Sequence, residues 1–333
     1  MPRRDLSDFS DAELLALRLC DLRLSLRPLR PAITQLYAEL RAQGLHFRPH
    51  VWLSHGFFAD DSLRGFAVPF YLAHPRLAAL ERRMMLDVEA STHDWCLRIL
   101  RHEAGHAIDN ATRLHRRPGY RMLFGEFSKA YPDTYRPDVG SRNHVLHLDC
   151  WYAQSHPAED FAETFAVWLS PTSDWRRTYD GWPALSKLHW VDAAMHDLSR
   201  RLIPTPTPRE HKPLHSLTLT LAEHYAQRIA TYQNDFPVIP RRDINRLFVS
   251  TGRRTLAAPL LARLKPQLRL NVNRWTGLPQ LTLEKTLADL MGECRARNLR
   301  LSRPPEQTKQ DLVALLTAHS QTFLADARHP IPL

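Results

Sequence analysis

Two histidines four residues apart, with a glutamate beside the first, are the residues of this 333-residue chain best placed to do chemistry. They form the segment His102-Glu103-Ala104-Gly105-His106 within a helical pattern. Residues four apart on a helix share one face, with Cβ atoms about 5–6 Å apart, so both imidazoles can bind one metal ion. Glu103 lies at the edge of that face, where it can reach a metal-bound water without binding the metal. The pattern predicts a zinc peptidase site with a glutamate as general base.

The surrounding residues predict a helix over about 93–111, with Thr92 or Asp94 as the capping residue. The two histidines continue an apolar stripe that begins at Trp95 and Ile99. The alternative, two solvated histidines on an ordinary surface helix, does not account for that stripe. The glycine before the second histidine costs about 1 kcal/mol of helix stability relative to alanine. Its small size therefore indicates that another element, or substrate, approaches closely there.

Catalytic zinc needs a third protein ligand and one open position for water. A third histidine six residues after His106 is excluded, because Thr112 stands there. One carboxylate candidate is Glu126, 20 residues after the second histidine, which is a thermolysin-like distance. However, Gly125 and Ala130 stand where that family has an asparagine and an aspartate.

The other candidate segment is 155–169, which has the features of a strong helix. Ser155 can cap this helix, Pro157 suits its first position, and acidic residues fill its first turn. Glu159 and Glu163 project from an alanine-lined face, which is unusual for a helix that is merely solvated. A capped helix with an acidic N-terminus is the alternative interpretation.

The two segments HEAGHAID, 102–109, and EDFAETFA, 159–166, together resemble the zinc-binding metallopeptidase family of bacteria, whose active site is similar to that of anthrax lethal factor. The resemblance implies that Glu159 is the third zinc ligand and that Glu163 supports the ligand shell. It also implies a catalytic role for Tyr152, seven residues before the ligand glutamate. Further matches are the aspartate three residues after the second histidine and the segment 179–188; the resemblance extends from near the N-terminus to about residue 250.

The chemistry that follows is peptide-bond hydrolysis with one zinc ion, held by His102, His106 and Glu159. Glu103 would take a proton from the zinc-bound water and pass it to the leaving amine. Tyr152 would donate a hydrogen bond to the developing oxyanion. A zinc hydrolase acting on a non-peptide amide is the alternative among enzymes. Outside enzymes, the alternative is a catalytically inactive zincin scaffold that binds protein or nucleic acid.

The ligand imidazoles need acceptors that orient them, and the candidates are Glu163, Asp109 and Asp160, in that order. A second metal site at His144 and His147 is a weaker hypothesis, and a polar loop or pocket rim is the alternative there.

Peptide substrate would pair its backbone with an edge strand above the helix that carries His102 and His106. The best candidate strand includes Gly65, Phe66, Ala67 and Val68, and Pro69 indicates an edge position. A peripheral hairpin strand is the alternative reading of the same residues.

Charge divides the chain unevenly. Residues 1–200 carry 25 basic and 25 acidic side chains, whereas residues 201–333 carry 20 basic and 10 acidic ones. The net charge of +10 therefore lies in the C-terminal part, which would suit a nucleic acid or an acidic protein as a partner. A solvated, arginine-rich helical region is the alternative, and no recognised DNA-binding motif supports the first reading.

The predicted fold class is α+β: a zincin-like, gluzincin-like metallopeptidase with a small N-terminal sheet, an HExxH helix and a mostly helical C-terminal part. The predicted domains are 1–200 and 201–333, joined by a Pro-rich linker at 203–208. The sequence contains no stretch of eighteen apolar residues, so no transmembrane helix is expected. The four cysteines lack C-x-x-C pairing, which is typical of reduced thiols in the cytoplasm. C-terminal helices are expected near 217–233, 255–264, 281–298 and 306–325.

Overall fold

The computed structural model describes residues 5–201, 203, 209–233, 236–326 and 329–330. The chain divides into two compact units. The first unit consists of Met1–Met84, Val88–His224 and Pro330–Leu333, and the second of Met85–Asp87 and Tyr225–His329. The first unit thus includes residues 201–224, which the predicted boundary placed in the C-terminal region. Apart from Ile203, the predicted linker at 203–208 lies outside the described residues.

The secondary structure is mostly helical, with short strands. The α-helices are α1 (Asp11–Ala16), α2 (Arg30–Ala42), α3 (Pro75–Met85), α4 (His93–Thr112), α5 (Tyr120–Phe124), α6 (Pro157–Leu169), α7 (Trp175–Thr178), α8 (Ala184–Ser199), α9 (Leu221–Gln233), α10 (Arg241–Leu247), α11 (Ala257–Thr276), α12 (Gln280–Ala296) and α13 (Pro305–Asp326). The strands are β1 (His50–Ser54), β2 (Gly65–Pro69), β3 (Thr134–Tyr135), β4 (Phe248–Val249), β5 (Arg300–Leu301) and β6 (His329–Pro330). The 3-10 helices are Leu6–Asp8, Leu19–Asp21, Arg27–Leu29, Phe70–Ala73, Leu114–Arg116, Asp149–Gln154 and Leu214–Ser216.

The predicted α+β character is confirmed by a small parallel sheet that precedes α4. Strand β1 pairs with β2 in parallel, from His50 opposite Gly65 to Ser54 opposite Pro69. All five residues of β2 are buried, and the strand contacts α4. The sheet therefore supports α4 from one side.

Helices α4 and α6 form the centre of the first unit, and each begins at a side-chain cap. Thr92 caps α4, because its Oγ1 accepts a hydrogen bond from the backbone N–H of Trp95 at 3.2 Å, as predicted. The prediction that Ser155 caps α6 is wrong. His156 is the cap: its backbone is extended, so its Nδ1 can turn back to accept from the N–H of Ala158 at 3.1 Å.

A buried ion pair fixes α4 against α2. The guanidinium of Arg101 donates to both carboxylate oxygens of Glu39, each at 2.7 Å. Two parallel charge-assisted hydrogen bonds give this pair a defined geometry. Because Arg101 directly precedes His102, the pair also fixes the rotation of α4 about its own axis.

Gly105 allows α4 and α6 to approach closely. A Cβ atom at this position would lie 2.9 Å from Cα of Ala162 and 3.2 Å from Cδ1 of Phe165. The first of these atoms belongs to the backbone of α6, which cannot move aside as the end of a flexible side chain can. The expectation that a small residue marks a close approach is confirmed, and the approaching element is α6.

Gly105→Ala is expected to lower the unfolding midpoint of the protein. Alanine gains about 1 kcal/mol of helix propensity, but overpacking against rigid backbone costs up to about 3 kcal/mol or more, which should exceed that gain. Gly292→Ala on α12 is the matched control, because a Cβ there meets no atom within 4 Å and should stabilise by about 1 kcal/mol. Thermal unfolding of both variants checks that the midpoint falls in Gly105→Ala and rises in Gly292→Ala. A midpoint for Gly105→Ala at or above wild type would contradict the close packing.

The described residues of the second unit are mostly helical. Helix α11 contacts both α12 and α13. Leucines from all three helices are buried in this unit, among them Leu260, Leu287 and Leu316. Strand β4 pairs antiparallel with β5. The four C-terminal helices predicted from sequence are found, but the one expected near 255–264 continues through Pro266 to Thr276. The described helices include none with the length and apolar character that a membrane span requires.

Candidate metal centre

Three potential ligand atoms converge where α4 crosses α6. Nε2 of His102 lies 3.0 Å from Oε2 of Glu159, and Nε2 of His106 lies 3.2 Å from the same oxygen. The two Nε2 atoms are 3.1 Å apart. Among the described residues, this is the one group of three or more His, Cys, Asp or Glu with ligand atoms close enough to share a metal ion. The site predicted from the helix motif and the downstream glutamate is thus brought together by the fold.

The donor set fits zinc. Zinc binds imidazole nitrogens and carboxylate oxygens at about 2.0–2.2 Å, so tetrahedral ligand atoms lie roughly 3.3–3.6 Å apart. The three observed distances are close to that spacing. In the neutral ring, His102 donates its Nδ1–H to Glu163, so its Nε2 presents a lone pair toward the Glu159 carboxylate. Two acceptors that face each other at 3.0 Å need a cation or a proton between them.

The charges around the site also favour a cation. Burial opposes the charged form of His102, but hydrogen bonds to Glu159 and Glu163 outweigh it and raise the pKa of that imidazole well above its usual value. Burial likewise opposes ionisation of Glu159, but the charge of His106 and hydrogen bonds from both imidazoles hold its pKa well below the usual range. A carboxylate that stays ionised in a buried position is suited to bind a metal ion.

Glu163 orients His102 and is itself fixed. Its Oε1 lies 2.7 Å from Nδ1 of His102, and its Oε2 accepts from the backbone N–H of Leu148 at 2.7 Å. The carboxylate is fully buried with both oxygens hydrogen bonded. In the neutral ring this contact sets the tautomer and the orientation of the histidine, and the role of Glu163 in supporting a zinc ligand stays a prediction.

Glu103 is buried next to His102 in α4, and one of its carboxylate oxygens is available to accept a proton. Its Oε2 has no hydrogen-bond partner among the described residues. Burial raises the pKa of this carboxyl to about 7, although the charges of His102 and His106 act in the opposite direction. A carboxyl with a pKa near neutrality can both accept and return a proton, which is what a general base in hydrolysis must do.

Tyr152 lies next to the site on a strained turn. Its ring centroid is 5.8 Å from that of His102, and burial raises its pKa well above the usual value, so the hydroxyl remains a donor. The two preceding residues, Cys150 and Trp151, are both in the left-handed region, with φ of 59° and 53°. Tyr135 helps to hold this turn, because its hydroxyl donates to the carbonyl of Cys150 at 2.8 Å. Strained backbone of this kind is common where a side chain must be aimed at a site.

Tyr131 contacts the site although no sequence signal singled it out. Its hydroxyl donates to Oε1 of Glu159 at 2.7 Å, and its ring stacks on His156 with centroids 3.7 Å apart. Tyr131 lies in the connection between α5 and β3, and nothing in the sequence there distinguishes this tyrosine from its aromatic neighbours.

A comparison with known families agrees with this geometry. Residues 95–184 match the model of a family described as "putative zinc-binding metallo-peptidase". The matched segment contains the two histidines, both glutamates of α6 and the neighbouring tyrosines, and it covers less than a third of the chain. The predicted resemblance to zinc-binding metallopeptidases is confirmed over these residues. No curated protein and no solved structure matches the chain.

Two of the carboxylates considered as orienting groups contact other partners. Asp109 accepts from the backbone N–H of His115 at 2.8 Å and also contacts the ring of that histidine. Asp160 accepts from Nζ of Lys187 at 2.6 Å, and burial raises the pKa of its carboxyl to about 7. Within the described residues, neither carboxylate makes a hydrogen bond to His102 or His106, because Asp109 is engaged by His115 and Asp160 by Lys187.

The strand proposed for substrate, Gly65 to Val68, lies in β2 but has little free edge. The backbone N–H of Ala67 donates to the carbonyl of Phe58 at 2.8 Å, on the side opposite β1. A peptide could pair at Ala67 only after Phe58 moves. The edge predicted from Pro69 is therefore occupied at this point by the chain's own β1–β2 connection, and the role of the strand in substrate binding stays a prediction.

The other candidate ligands lie outside the site. Glu126 is exposed, where it pairs with Arg121 at 3.0 Å and accepts from Ser128 at 3.0 Å. Nε2 of His147 lies 3.0 Å from the carbonyl of Arg98. Burial lowers the pKa of His144 to about 4. In the part of the chain that the structure describes, neither histidine belongs to a second metal-binding group.

Proposed function

We propose that this protein is a zinc-dependent metallopeptidase of zincin-like design, with the active-site plan that the resemblance to anthrax lethal factor implies. The observation that carries the proposal is the convergence of His102, His106 and Glu159 beside the buried carboxylate of Glu103, whose Oε2 has no hydrogen-bond partner among the described residues. Zinc, when bound, would lower the pKa of a coordinated water to about 7 and polarise the scissile carbonyl.

Each nearby residue has a distinct part in the proposed hydrolysis. Glu103 accepts the proton of the attacking water at Oε2 and delivers it to the leaving amine nitrogen. The hydroxyl of Tyr152 donates to the oxygen of the carbonyl as negative charge develops there. Glu163 holds the imidazole of His102 in the orientation that zinc requires.

An inactive scaffold is the less suitable alternative. A site that only bound zinc for structure would need its ligands and their hydrogen-bonded supports, but it would not need a buried carboxylate with a free oxygen next to them. Burial of Glu103 costs stability, so its position is better explained by chemistry than by folding.

The proposal predicts that peptide hydrolysis requires one bound zinc ion. Full-length protein would be tested on a mixture of unfolded peptides of varied sequence, with cleavage detected by mass spectrometry. Removal of the metal by a chelator should abolish cleavage, and zinc added back in equal amount to the protein should restore it. A zinc-loaded protein that cleaves no peptide in the mixture, or cleavage that persists in metal-free protein, would contradict the proposal.

A further inference from the structure

The third ligand carboxylate is held at both oxygens by different partners. Oε2 of Glu159 faces the two imidazoles, at 3.0 Å from His102 and 3.2 Å from His106. Oε1 accepts the hydroxyl of Tyr131 at 2.7 Å. The tyrosine therefore determines which of two chemically equal oxygens is directed at the metal position.

Tyr131 is itself fixed by contacts with the start of α6. Its ring stacks on the imidazole of His156, with a centroid distance of 3.7 Å and an interplanar angle of 17°. The same imidazole accepts from the N–H of Ala158 through Nδ1, so its Nε2 carries the proton that is donated to the carbonyl of Lys129 at 2.7 Å. The histidine thus joins the chain just before Tyr131 to the helix that carries Glu159.

The orientation of Tyr131 is unusual for a half-exposed residue. Its accessible fraction is 45%, so its hydroxyl could remain in water at little cost. Instead the hydroxyl points to a buried carboxylate. A surface tyrosine that only filled space would have no reason to form this contact.

The fixed orientation has a consequence for coordination. A carboxylate that bound zinc through both oxygens would occupy the position that a catalytic site keeps open for water or substrate. A hydrogen bond donated to Oε1 makes that oxygen a poorer ligand and leaves Oε2 as the one directed at the metal.

We propose that Tyr131 is a positioning residue that keeps Glu159 a one-oxygen zinc ligand through its hydrogen bond to Oε1. This inference rests on the proposed zinc site, and it assigns to the connection between α5 and β3 a direct part in that site. Tyr131 acts on zinc through Glu159, whereas Tyr152 acts on the substrate.

The test is the zinc dissociation constant of Tyr131→Phe, measured by competition with a coloured chelator. Phenylalanine keeps the ring that stacks on His156 and removes only the hydroxyl. The dissociation constant should rise about 10–100-fold, as is typical when a group that supports a metal ligand is lost. The visible spectrum of the cobalt-loaded variant should also change, because the number or identity of the coordinating atoms changes.

Tyr37→Phe is the matched control, since its hydroxyl donates to the carbonyl of Pro49 at 2.8 Å, away from the site. It should leave both the zinc affinity and the cobalt spectrum as in wild type. Equal zinc affinity and an unchanged cobalt spectrum in Tyr131→Phe would overturn the inference, even if that variant unfolds more readily without metal. An equal loss of affinity in both variants would overturn it too. Wild-type protein that binds no zinc would instead overturn the proposed function on which the inference rests.

Discussion

Glu103→Gln is expected to lower the rate of peptide hydrolysis about 10²–10⁴-fold, the range attributed to general acid–base catalysis. The amide has nearly the same shape as the carboxylate but cannot accept a proton. Because no hydrogen bond among the described residues joins Glu103 to the three ligand side chains, zinc binding should be unchanged. Folding should not suffer either, since the variant replaces a buried acid whose pKa is raised by burial with a neutral group.

The control for this variant is Glu126→Gln, which makes the same chemical change at an exposed glutamate paired with Arg121. It should hydrolyse peptides at the wild-type rate. Steady-state rates for both variants, each with zinc content measured on the same sample, separate loss of the base from loss of the metal. A Glu103→Gln enzyme that keeps the wild-type rate with zinc bound would contradict the assigned role.

The parts of the site that were predictable from sequence are those that local spacing determines. His102 and His106 are four residues apart on one helix, and Glu159 and Glu163 are four apart on another, so each pair shares a face whatever the rest of the chain does. Gly105 also allowed a prediction about packing. A glycine in the middle of a helix lowers helix stability, and close contact with another element explains why it is present.

The parts that could not be predicted depend on which segments meet in space. Tyr131 reaches Glu159 from a connection with little regular structure, and spacing says nothing about where such a side chain points. Asp109 and Asp160 were reasonable orienting groups by sequence distance, but their partners are His115 and Lys187. Those contacts follow from how separate elements pack, which local pattern does not encode.

Element boundaries show the same limit. Ser155 has the usual residue type for a helix cap, yet His156 takes that place because its extended backbone lets the ring reach the first turn. Helix α11 passes through Pro266, where sequence rules favour a break. Buried leucines on both sides of the proline, Leu261 and Leu268, keep the helix continuous through their packing.

Glu159→Ala is expected to lose most of the zinc affinity of the protein. The alanine removes one of the three ligands and leaves only two imidazoles, which bind zinc more weakly than the full set. Binding free energies for zinc at protein sites are about 10–16 kcal/mol, so an even share for one ligand of three is roughly 3–5 kcal/mol. A loss of that size corresponds to about 10²–10⁴-fold in the dissociation constant. The helix itself should persist, because alanine is the best helix former.

The most direct test of the account is the number of zinc ions bound per chain in wild type, Glu159→Ala and Glu126→Ala after zinc supply and gel filtration. The two alanine variants remove the two carboxylates that sequence alone could not decide between. The structure predicts one zinc per chain in wild type and in Glu126→Ala, and a large loss in Glu159→Ala. Wild type without zinc, or Glu159→Ala with a full complement, would contradict a metal centre built from His102, His106 and Glu159.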